Sequence, residues 1–480
     1  MNKTRENLPK ESQEALAVKL HLKECLFGEA PFYRKVAYVV VPMIIQNTLT
    51  NIVGLLDNVM VGQVGTIPMS SVAIISQILF VYYLCIWGGI AGVGIYGTQF
   101  FGKGDYEGVR NTTRFKLVLG LVVMGASILF LYIAGQDLIG LYIAEDTSAA
   151  DKAATLHYAW QYLCIMMVGL VPFTVTQCYA GTLRESGQTT LPMTAGMIAM
   201  VVNFVFNALL IFGLLGFPKL GVAGAAIATV ISRFTEMLIV VIATHRHREK
   251  YPFFVDLYRN FKIPRELVAP VLKKTAPLFM GELTWSLGQA ALLHSYSLRG
   301  LSVIAAINIS NTISQIFNEV FLSLGNATSI LLGQDLGADR LLQARKNAYR
   351  MMTLSVLSCF VMGFLLFLCS PLIPRIYNTE ENVRELATAF IRVVSATMFC
   401  NAIANVSYFT LRSGGKTVVT FLFDAGATWL MSVPLAYILS RFTTLSIVLV
   451  FFLVCLTEFI KGLIGIALVR QGLWVRNIVK

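Results

Sequence analysis

Twelve apolar runs, each long enough to cross a bilayer as a helix, constrain the fold of this chain more than any other feature. A bilayer core needs about 20 mostly apolar residues per helix. The chain is 56% hydrophobic and 13% charged, whereas soluble domains have roughly 45–50% apolar and about 25% charged residues. The sequence therefore predicts an all-α polytopic membrane protein. The predicted spans lie near residues 34–61, 69–99, 115–143, 153–181, 190–216, 221–244, 267–298, 302–332, 351–377, 385–411, 417–440 and 443–469.

The net charge of +12 raises the question of a nucleic-acid partner, and the distribution of the basic residues argues against one. With the N-terminus placed inside, 29 of the 38 Lys and Arg fall in the termini and in the loops on that same side. This asymmetry is the positive-inside pattern. We therefore predict a multi-pass protein of the inner (plasma) membrane with both termini in the cytoplasm and no nucleic-acid partner.

Residues 1–33 contain repeated charges and no short apolar core followed by a small-residue cleavage site, so they do not resemble a signal peptide. We interpret them as a cytoplasmic extension, with an amphipathic helix as one possibility. Seven of the eight cysteines lie inside apolar segments without metal-ligand spacing. Buried free thiols are expected of such cysteines, and we predict neither a metal cluster nor a cofactor.

The two halves of the chain resemble each other. "QFFGKGDYEGVRN" (99–111) is matched by "QDLGADRLLQARKN" (334–347) at an offset of 235, and "TLRESG" (182–187) is matched by "TLRSGG" (410–415) at 228. The matches keep their order, which indicates a duplication. Since each half has an even number of spans, the sequence predicts two six-helix lobes related by a pseudo-two-fold axis along the membrane normal, with a substrate site near their interface.

This duplication sets the predicted domain organisation. The predicted parts are an N-terminal extension (1–33), an N-lobe (34–244), a cytoplasmic linker (245–266), a C-lobe (267–470) and a cytoplasmic tail (471–480).

A carboxylate, Asp57, lies in the first apolar segment. Carboxylates inside membranes are costly and usually face a partner or a water-filled cavity. The polar residues of this segment recur at helical spacings of three, four and seven and so form one stripe. They are Gln46, Asn47, Thr50, Asn51, Asp57 and Asn58, with Gly54 leaving room one turn before Asp57.

Two further segments offer oxygen ligands. Asn203 and Asn207 are four residues apart in segment five, and segment six carries Thr229 within "GVAGAAIATVISRF", whose small residues permit tight helix packing. Together with Asp57 they would suit either a hard cation or a proton carrier. Spacing alone does not establish that these helices meet.

The second half has its own acid, Glu282, in segment seven, and segment eight carries Gln315 among several asparagines. Structural hydrogen bonding between helices is an equally reasonable interpretation of the asparagines. Glu236 and Glu458 each lie three residues from a cation, Arg233 and Lys461, so local ion pairing is expected there.

Taken together, these motifs resemble the multidrug and toxic compound extrusion (MATE) family. The resemblance covers residues 34–470 and begins with the twelve spans in two halves. In the first half it is carried by the Pro42-to-Asp57 helix, which continues as "DNVMVGQVG", and by "GVAGAAIATVISR" in segment six. The other two features are "LRxxG" after segments four and ten and "P-x4-E" at the start of segment seven. The resemblance implies a secondary antiporter that exports organic, often cationic, compounds in exchange for Na⁺ or H⁺, by alternating access and as a monomer.

The resemblance also implies roles for individual residues. Asp57, Asn203, Asn207 and Thr229 match the coupling-ion site of the N-lobe, Pro42 matches a helix bend, and Glu282 matches an acid of the C-lobe cavity, where we also place Gln315. Two positions depart from the family. DinF-like branches have an aspartate at Asn207, and NorM-like members often have one at Asn401 in the C-lobe, so the choice between Na⁺ and H⁺ stays open.

Three other functions are weighed against efflux. A flippase for lipid-linked glycans would need further spans or several cationic cavity residues, and few are present. An integral-membrane transferase would need a His/Asp or Asp-rich cluster, which the five scattered histidines do not make, so we predict that the chain is not an enzyme. A channel would need matched acids in both halves.

Overall fold

The computed structural model describes residues 22–143, 148–259, 261–377 and 379–479. Within them the chain forms twelve long helices and no strand, which confirms the all-α class. The helices are α1 Ala30–Gly62, α2 Thr66–Lys103, α3 Tyr106–Tyr142, α4 Ala149–Glu185, α5 Thr190–Phe212, α6 Val222–Arg246, α7 Arg265–Ser297, α8 Leu301–Gly337, α9 Leu341–Cys369, α10 Glu381–Ser413, α11 Thr417–Phe442 and α12 Ile447–Gln471. Short helices cover Leu22–Leu26, Leu214–Gly216, Pro252–Phe254 and Ile373–Ile376.

Eleven of these helices are long and apolar enough to cross a membrane, judged by length and composition within the described residues. The exception is α7, which forms as predicted but carries Lys273, Lys274 and Glu282 along its length. These charges lower its hydropathy without interrupting its hydrogen bonds. The twelve predicted spans therefore correspond to twelve helices, one of which is more polar than the rest.

The last two helices are irregular. In α11 the stretches Leu422–Gly426 and Thr428–Ser432 are π-helical, and α12 is interrupted at Leu456, between Ile447–Cys455 and Thr457–Gln471. π-Helical stretches are rare and are often found at functional sites. Both irregularities lie next to charged side chains, Asp424 and Glu458.

The chain divides into two compact units. One, here called the N-unit, comprises Val41–Gly97 and Tyr106–Pro270. The other, the C-unit, comprises the described residues before Val41, Thr98–Asp105 and the described residues from Val271 onward. The first turns of α1 and the end of α2 thus pack with the C-unit, although chain order places them in the first half.

In the N-unit, small residues allow close helix contacts. A Cβ on Gly224 of α6 would lie 2.5 Å from the carbonyl oxygen of Leu210 in α5, so only glycine permits this approach of the two backbones. Buried Ala225, Ala226 and Ala228 continue the contact along α6. The tight packing predicted for segment six is therefore confirmed, and it sets the distance between the polar side chains of α5 and α6.

A buried ion pair joins α3 to α4 in the same unit. The Lys116 ammonium lies 2.5 Å from Glu185 and donates a second hydrogen bond to the Thr182 hydroxyl at 3.1 Å. The Glu185 side chain occupies the space that side chains on Gly94 and Gly97 of α2 would need. Lys116 is completely shielded from solvent, so each charge depends on the other.

The linker after α6 is clamped to the N-unit by Arg114. Its guanidinium donates to the carbonyl oxygens of Leu257 (2.7 Å), Asp256 (2.8 Å) and Arg259 (2.9 Å). Nearby, the Tyr179 ring stacks on Phe254. The segment predicted as a polar linker is thus held to the N-unit by hydrogen bonds from the buried Arg114 guanidinium to the carbonyl oxygens of its backbone.

In the C-unit, the end of α2 crosses α8 at very short range. A Cβ on Gly102 would overlap the backbone of Gln334, and a Cβ on Gly337 would overlap the backbone of Gln99. These two glycines are equivalent positions of the duplication, 235 residues apart. Glycine at both positions permits the contact.

The residues after α12 complete this contact. The Gln99 amide donates to the carbonyl oxygens of Ser413 (3.0 Å) and Arg476 (3.4 Å), and the backbone N–H of Ile478 donates to the Gln99 side chain (2.8 Å). Trp474 is fully buried next to these bonds. The tail is an ordered part of the C-unit, and it holds the end of α2.

Residues 1–21 of the predicted extension lie outside the described residues. The part that follows forms the short helix Leu22–Leu26. Its Glu24 pairs with Lys346 at 2.6 Å, and its backbone carbonyl accepts from Arg350 at 2.9 Å. This segment therefore docks on the first turns of α9.

Candidate functional site

The four residues predicted to form a coupling site lie together in the N-unit. The Asn207 amide donates to Asp57 Oδ1 at 2.5 Å and to Asn203 Oδ1 at 3.1 Å. The Asn203 amide donates in turn to the Thr229 hydroxyl at 3.4 Å. Side chains from α1, α5 and α6 are thus joined in one hydrogen-bonded chain, which spacing alone did not establish.

The direction of these hydrogen bonds is informative. The Thr229 hydroxyl donates to the Ala225 carbonyl oxygen at 3.0 Å, so it accepts from Asn203. Asn207 thus donates to both of its neighbours, and the residues at the two ends, Asp57 and Thr229, accept from an amide. An ionised carboxylate is a pure acceptor, whereas a protonated one also carries a donor. Either form can accept this hydrogen bond at Oδ1, so the arrangement fits both an ionised and a protonated Asp57.

One oxygen of the chain is left without a partner. Asn207 is completely buried, and its Oδ1 atom has no hydrogen-bond partner among the described residues. An unsatisfied buried acceptor costs about 1–3 kcal/mol. A carboxylate, amide oxygens and a hydroxyl are the ligands that hard cations prefer. The residues present therefore fit a monovalent cation as well as a proton.

Local packing explains how Asp57 remains accessible. A Cβ added to Gly54, one turn earlier, would meet no atom within 4 Å, so the face of α1 beside the carboxylate is open. At the other end of the stripe Gln46 is buried, donates to the Pro192 carbonyl oxygen at 3.3 Å and accepts from Arg184 at 3.0 Å. The stripe thus packs on α5 at Gln46 and opens near Asp57.

The charges of α6 agree with the prediction in part. Glu236 and Arg233 interact electrostatically, as predicted, but no direct salt bridge between them is found among the described residues. Arg233 also lies over the Phe173 and Tyr83 rings at 4.7 and 5.7 Å. Glu236 interacts electrostatically with both Arg233 and Arg184. Aromatic faces stabilise a partly desolvated guanidinium, so Arg233 is stabilised by the two rings in addition to the carboxylate.

In the C-unit, the predicted cavity residues are not all brought together. Glu282 interacts electrostatically with Arg412 and Asp424, and Tyr408 lies close to all three. Gln315 is exposed and Asn401 half-buried, and neither makes a hydrogen bond within the described chain. The predicted roles of Glu282, Gln315 and Asn401 stay predictions.

Pro42 lies inside α1, which runs without a break from Ala30 to Gly62. Proline removes one hydrogen bond from a helix interior and often kinks it. A functional bend at Pro42 stays a prediction.

Sequence reasoning missed the charged cluster of the C-unit. The Lys461 ammonium lies 2.6 Å from Asp424 and 3.2 Å from Glu458. The pairing with Glu458, three residues away, was expected and is confirmed. The pairing with Asp424, 37 residues earlier, was not, because no local pattern indicates a contact between α11 and α12. The buried Lys116–Glu185 pair was also missed, since Lys116 follows a polar loop.

Comparisons with known proteins agree with this geometry. The profile of the MatE family matches residues 42–209 and 277–438, more than half of the chain. The probable multidrug resistance protein YoeA of Bacillus subtilis is 24% identical over 419 residues, covering 86% of this chain and 88% of that protein. The probable multidrug resistance protein NorM of Bacillus thuringiensis is 27% identical over 399 residues, covering 81% and 84%.

Solved structures show the same fold. A multidrug resistance MATE family transporter in an outward-facing conformation superimposes with a TM-score of 0.83 at 18% identity, covering 95% of this chain and 99% of that one. A MATE protein in complex with MaL6 gives 0.82 at 17% identity, covering 97% and 99%. The profile match, the multi-pass helical fold and these neighbours lead to one conclusion: the chain belongs to the MATE family of membrane transporters.

Proposed function

We propose that this protein is a multidrug efflux antiporter that exports organic, amphiphilic cations in exchange for Na⁺ or H⁺. The observation that carries the proposal is the position of Asp57, at the accepting end of an amide chain and beside the unpartnered oxygen of Asn207. The printed names of the bacterial relatives, which are multidrug resistance proteins, support the substrate class.

The proposed mechanism is alternating access coupled through one carboxylate. A Na⁺ ion would bind the oxygens of Asp57, Asn207, Asn203 and Thr229, whereas a proton would neutralise Asp57 directly. Either event removes the negative charge that the Asn207 amide stabilises. Coupling requires only that the ion and the organic cation favour different conformations, because a ligand shifts an equilibrium by its differential affinity alone.

We further propose that the protein works as a monomer in the plasma membrane with both termini in the cytoplasm. The asymmetric distribution of Lys and Arg supports this orientation. Residues 1–33, the linker and the tail would then share the cytoplasmic side.

The decisive experiment is efflux from proteoliposomes with an imposed Na⁺ gradient in one arm and an imposed pH gradient in the other, using a panel of cationic dyes. We expect one gradient to drive export by the wild-type protein and Asp57→Asn to abolish it. Asp151→Asn, which removes an exposed carboxylate at the start of α4, is the control and should keep the wild-type rate.

Two outcomes would overturn the proposal. The first is gradient-driven export by Asp57→Asn at the wild-type rate, which would remove the carboxylate from the coupling step. The second is the absence of export of every cationic dye under both gradients, which would favour transport of a different class of substrate.

A further inference from the structure

A cation of the protein itself is enclosed by two carboxylates in the C-unit. The Lys461 ammonium of α12 lies 2.6 Å from Asp424 Oδ1 and 3.2 Å from Glu458 Oε2. It also lies over the Phe423 ring, 5.8 Å from the centroid. Two carboxylates and an aromatic face are the groups that recognise organic ammonium ions in proteins. The pocket around Lys461 thus has the chemistry of a cation-binding site.

The backbone around this pocket is irregular on both sides. Asp424 lies within the π-helical stretch Leu422–Gly426, and Glu458 lies in the first turn after the interruption of α12 at Leu456. A regular helix would be the more stable conformation for either segment. Glu458 and Lys461 are three residues apart on the same helix, and Asp424 reaches the same ammonium group from the π-helical stretch of α11.

The three side chains of this cluster differ in their exposure to solvent. Lys461 is 10% exposed, whereas Asp424 and Glu458 are 27% and 28% exposed. Ionised carboxylates of membrane helices avoid lipid and face a partner or a polar space. A cation that enters from that space meets the carboxylates first, with Lys461 behind them.

The charges also leave this cluster unbalanced. Two carboxylates and one ammonium carry a net charge of −1. Among the described residues, Glu282 and Arg412 add one negative and one positive charge to this part of the C-unit, since Glu282 interacts electrostatically with both Arg412 and Asp424. An uncompensated negative charge in a membrane protein attracts a cation. A monovalent cation that binds the two carboxylates brings the total charge of the cluster to zero, because Lys461 stays attached to the chain.

We propose that Asp424 and Glu458 form a binding site for amphiphilic organic cations, and that the Lys461 ammonium is an internal competitor that the incoming cation displaces. The inference rests on the proposed function, because it assumes that the substrates are organic cations. Lys461 then determines specificity. A neutral or anionic compound does not replace the ammonium, and a cation with an apolar body replaces it and also packs on Phe423.

The first test measures binding of ethidium, a monovalent cationic dye, to the purified full chain by fluorescence. Lys461→Met removes the competitor and should tighten ethidium binding at least tenfold. The double variant Lys461→Met/Asp424→Asn should lose that gain. Glu381→Gln, which removes the carboxylate of an exposed pair with Arg384, is the control and should bind like the wild type. Equal or weaker binding by Lys461→Met would overturn the proposal.

The second test uses only the wild-type protein, so it does not depend on the folding of a variant. An amine-reactive reagent is added with and without saturating ethidium, and acylation is measured by mass spectrometry. Displacement should raise the labelling of Lys461 several-fold, whereas a neutral amphiphile of similar size should not. Lys116, which is fully buried in the N-unit and paired with Glu185, should stay unlabelled in every arm.

The outcomes separate the two proposals. If the wild-type protein binds no ethidium, this inference fails, and the dye panel of the efflux assay decides the organic-cation function. If it binds ethidium while the labelling of Lys461 stays constant, the inference fails and the function stands.

Discussion

The buried ion pair between Lys116 and Glu185 allows a quantitative test of how the N-unit is held together. Lys116 is fully buried, and its ammonium donates to Glu185 and to Thr182. Glu185 is 7% exposed and lies against α2. Removing either charge breaks this ion pair in a low-dielectric environment.

The expected loss follows from this burial. Breaking a buried pair by removing one partner costs about 3–5 kcal/mol. With an unfolding entropy of about 2.1 cal/mol/K per residue, the 480 residues give about 1 kcal/mol/K, so the melting temperature should fall by about 3–5 °C. Glu185→Gln keeps an acceptor for Lys116 and should lie at the lower end, whereas Lys116→Met takes the ammonium away from the buried Glu185 carboxylate and should lie at the upper end.

The double variant Lys116→Met/Glu185→Gln removes both charges, so its loss should be clearly smaller than the sum of the single losses. The assay is thermal denaturation of purified protein in one detergent, followed by size-exclusion chromatography. Glu381→Gln removes an exposed pair, worth about 0–1 kcal/mol, and should shift the midpoint by less than about 1 °C. Single variants within 1 °C of the wild type, or strictly additive losses, would refute the reasoning.

Three further predictions concern the coupling site, the crossing of α2 and α8, and the linker. Asn207→Leu removes the hydrogen-bond donor to the Asp57 carboxylate. Because hydrogen bonds to charged groups are worth about 1.5–3 kcal/mol, gradient-driven dye export should fall at least tenfold. An unchanged export rate would contradict the proposed role of Asn207. Gly337→Ala forces a Cβ into the backbone of Gln99 and should sharply reduce the yield of monodisperse protein, whereas a normal yield would show that the crossing adjusts. Arg114→Met removes the donors to the linker carbonyl oxygens of Leu257, Asp256 and Arg259 and should speed tryptic cleavage of the linker several-fold. Arg110→Met is the control, because it loses only a 3.5 Å hydrogen bond to the Pro252 carbonyl oxygen, and it should not change the cleavage rate.

The helices could be predicted from sequence because long apolar runs have few other stable conformations in a membrane. The irregularities could not. The π-helical stretches of α11 and the interruption at Leu456 in α12 are stabilised by contacts with other helices, and their residues are as apolar as those of regular helices. Helix period and hydropathy report the environment of a segment but not the hydrogen-bonding of its individual turns.

The candidate coupling site was partly predictable. The stripe on α1 pointed to Asp57, since a polar face on an apolar helix must pack inward, and the small residues beside Gly224 indicated a close neighbour for α6. The contact between Asp424 and Lys461 left no such signal, because it joins residues 37 apart on different helices. Contacts between distant segments depend on the tertiary packing, which a single sequence does not encode as a local pattern.

The hydrogen bonds of Gln99 also limit how early the protein can finish folding. This residue is bonded to the carbonyl oxygen of Arg476, 377 positions later in the chain. At a synthesis rate of about 5–20 residues per second, the end of α2 waits roughly 20–75 s for these partners to be made. During that interval the Gln99 amide and its neighbouring backbone lack the tail that covers them in the finished C-unit. The first helices therefore cannot reach their final packing before the residues around Arg476 and Ile478 have been synthesised.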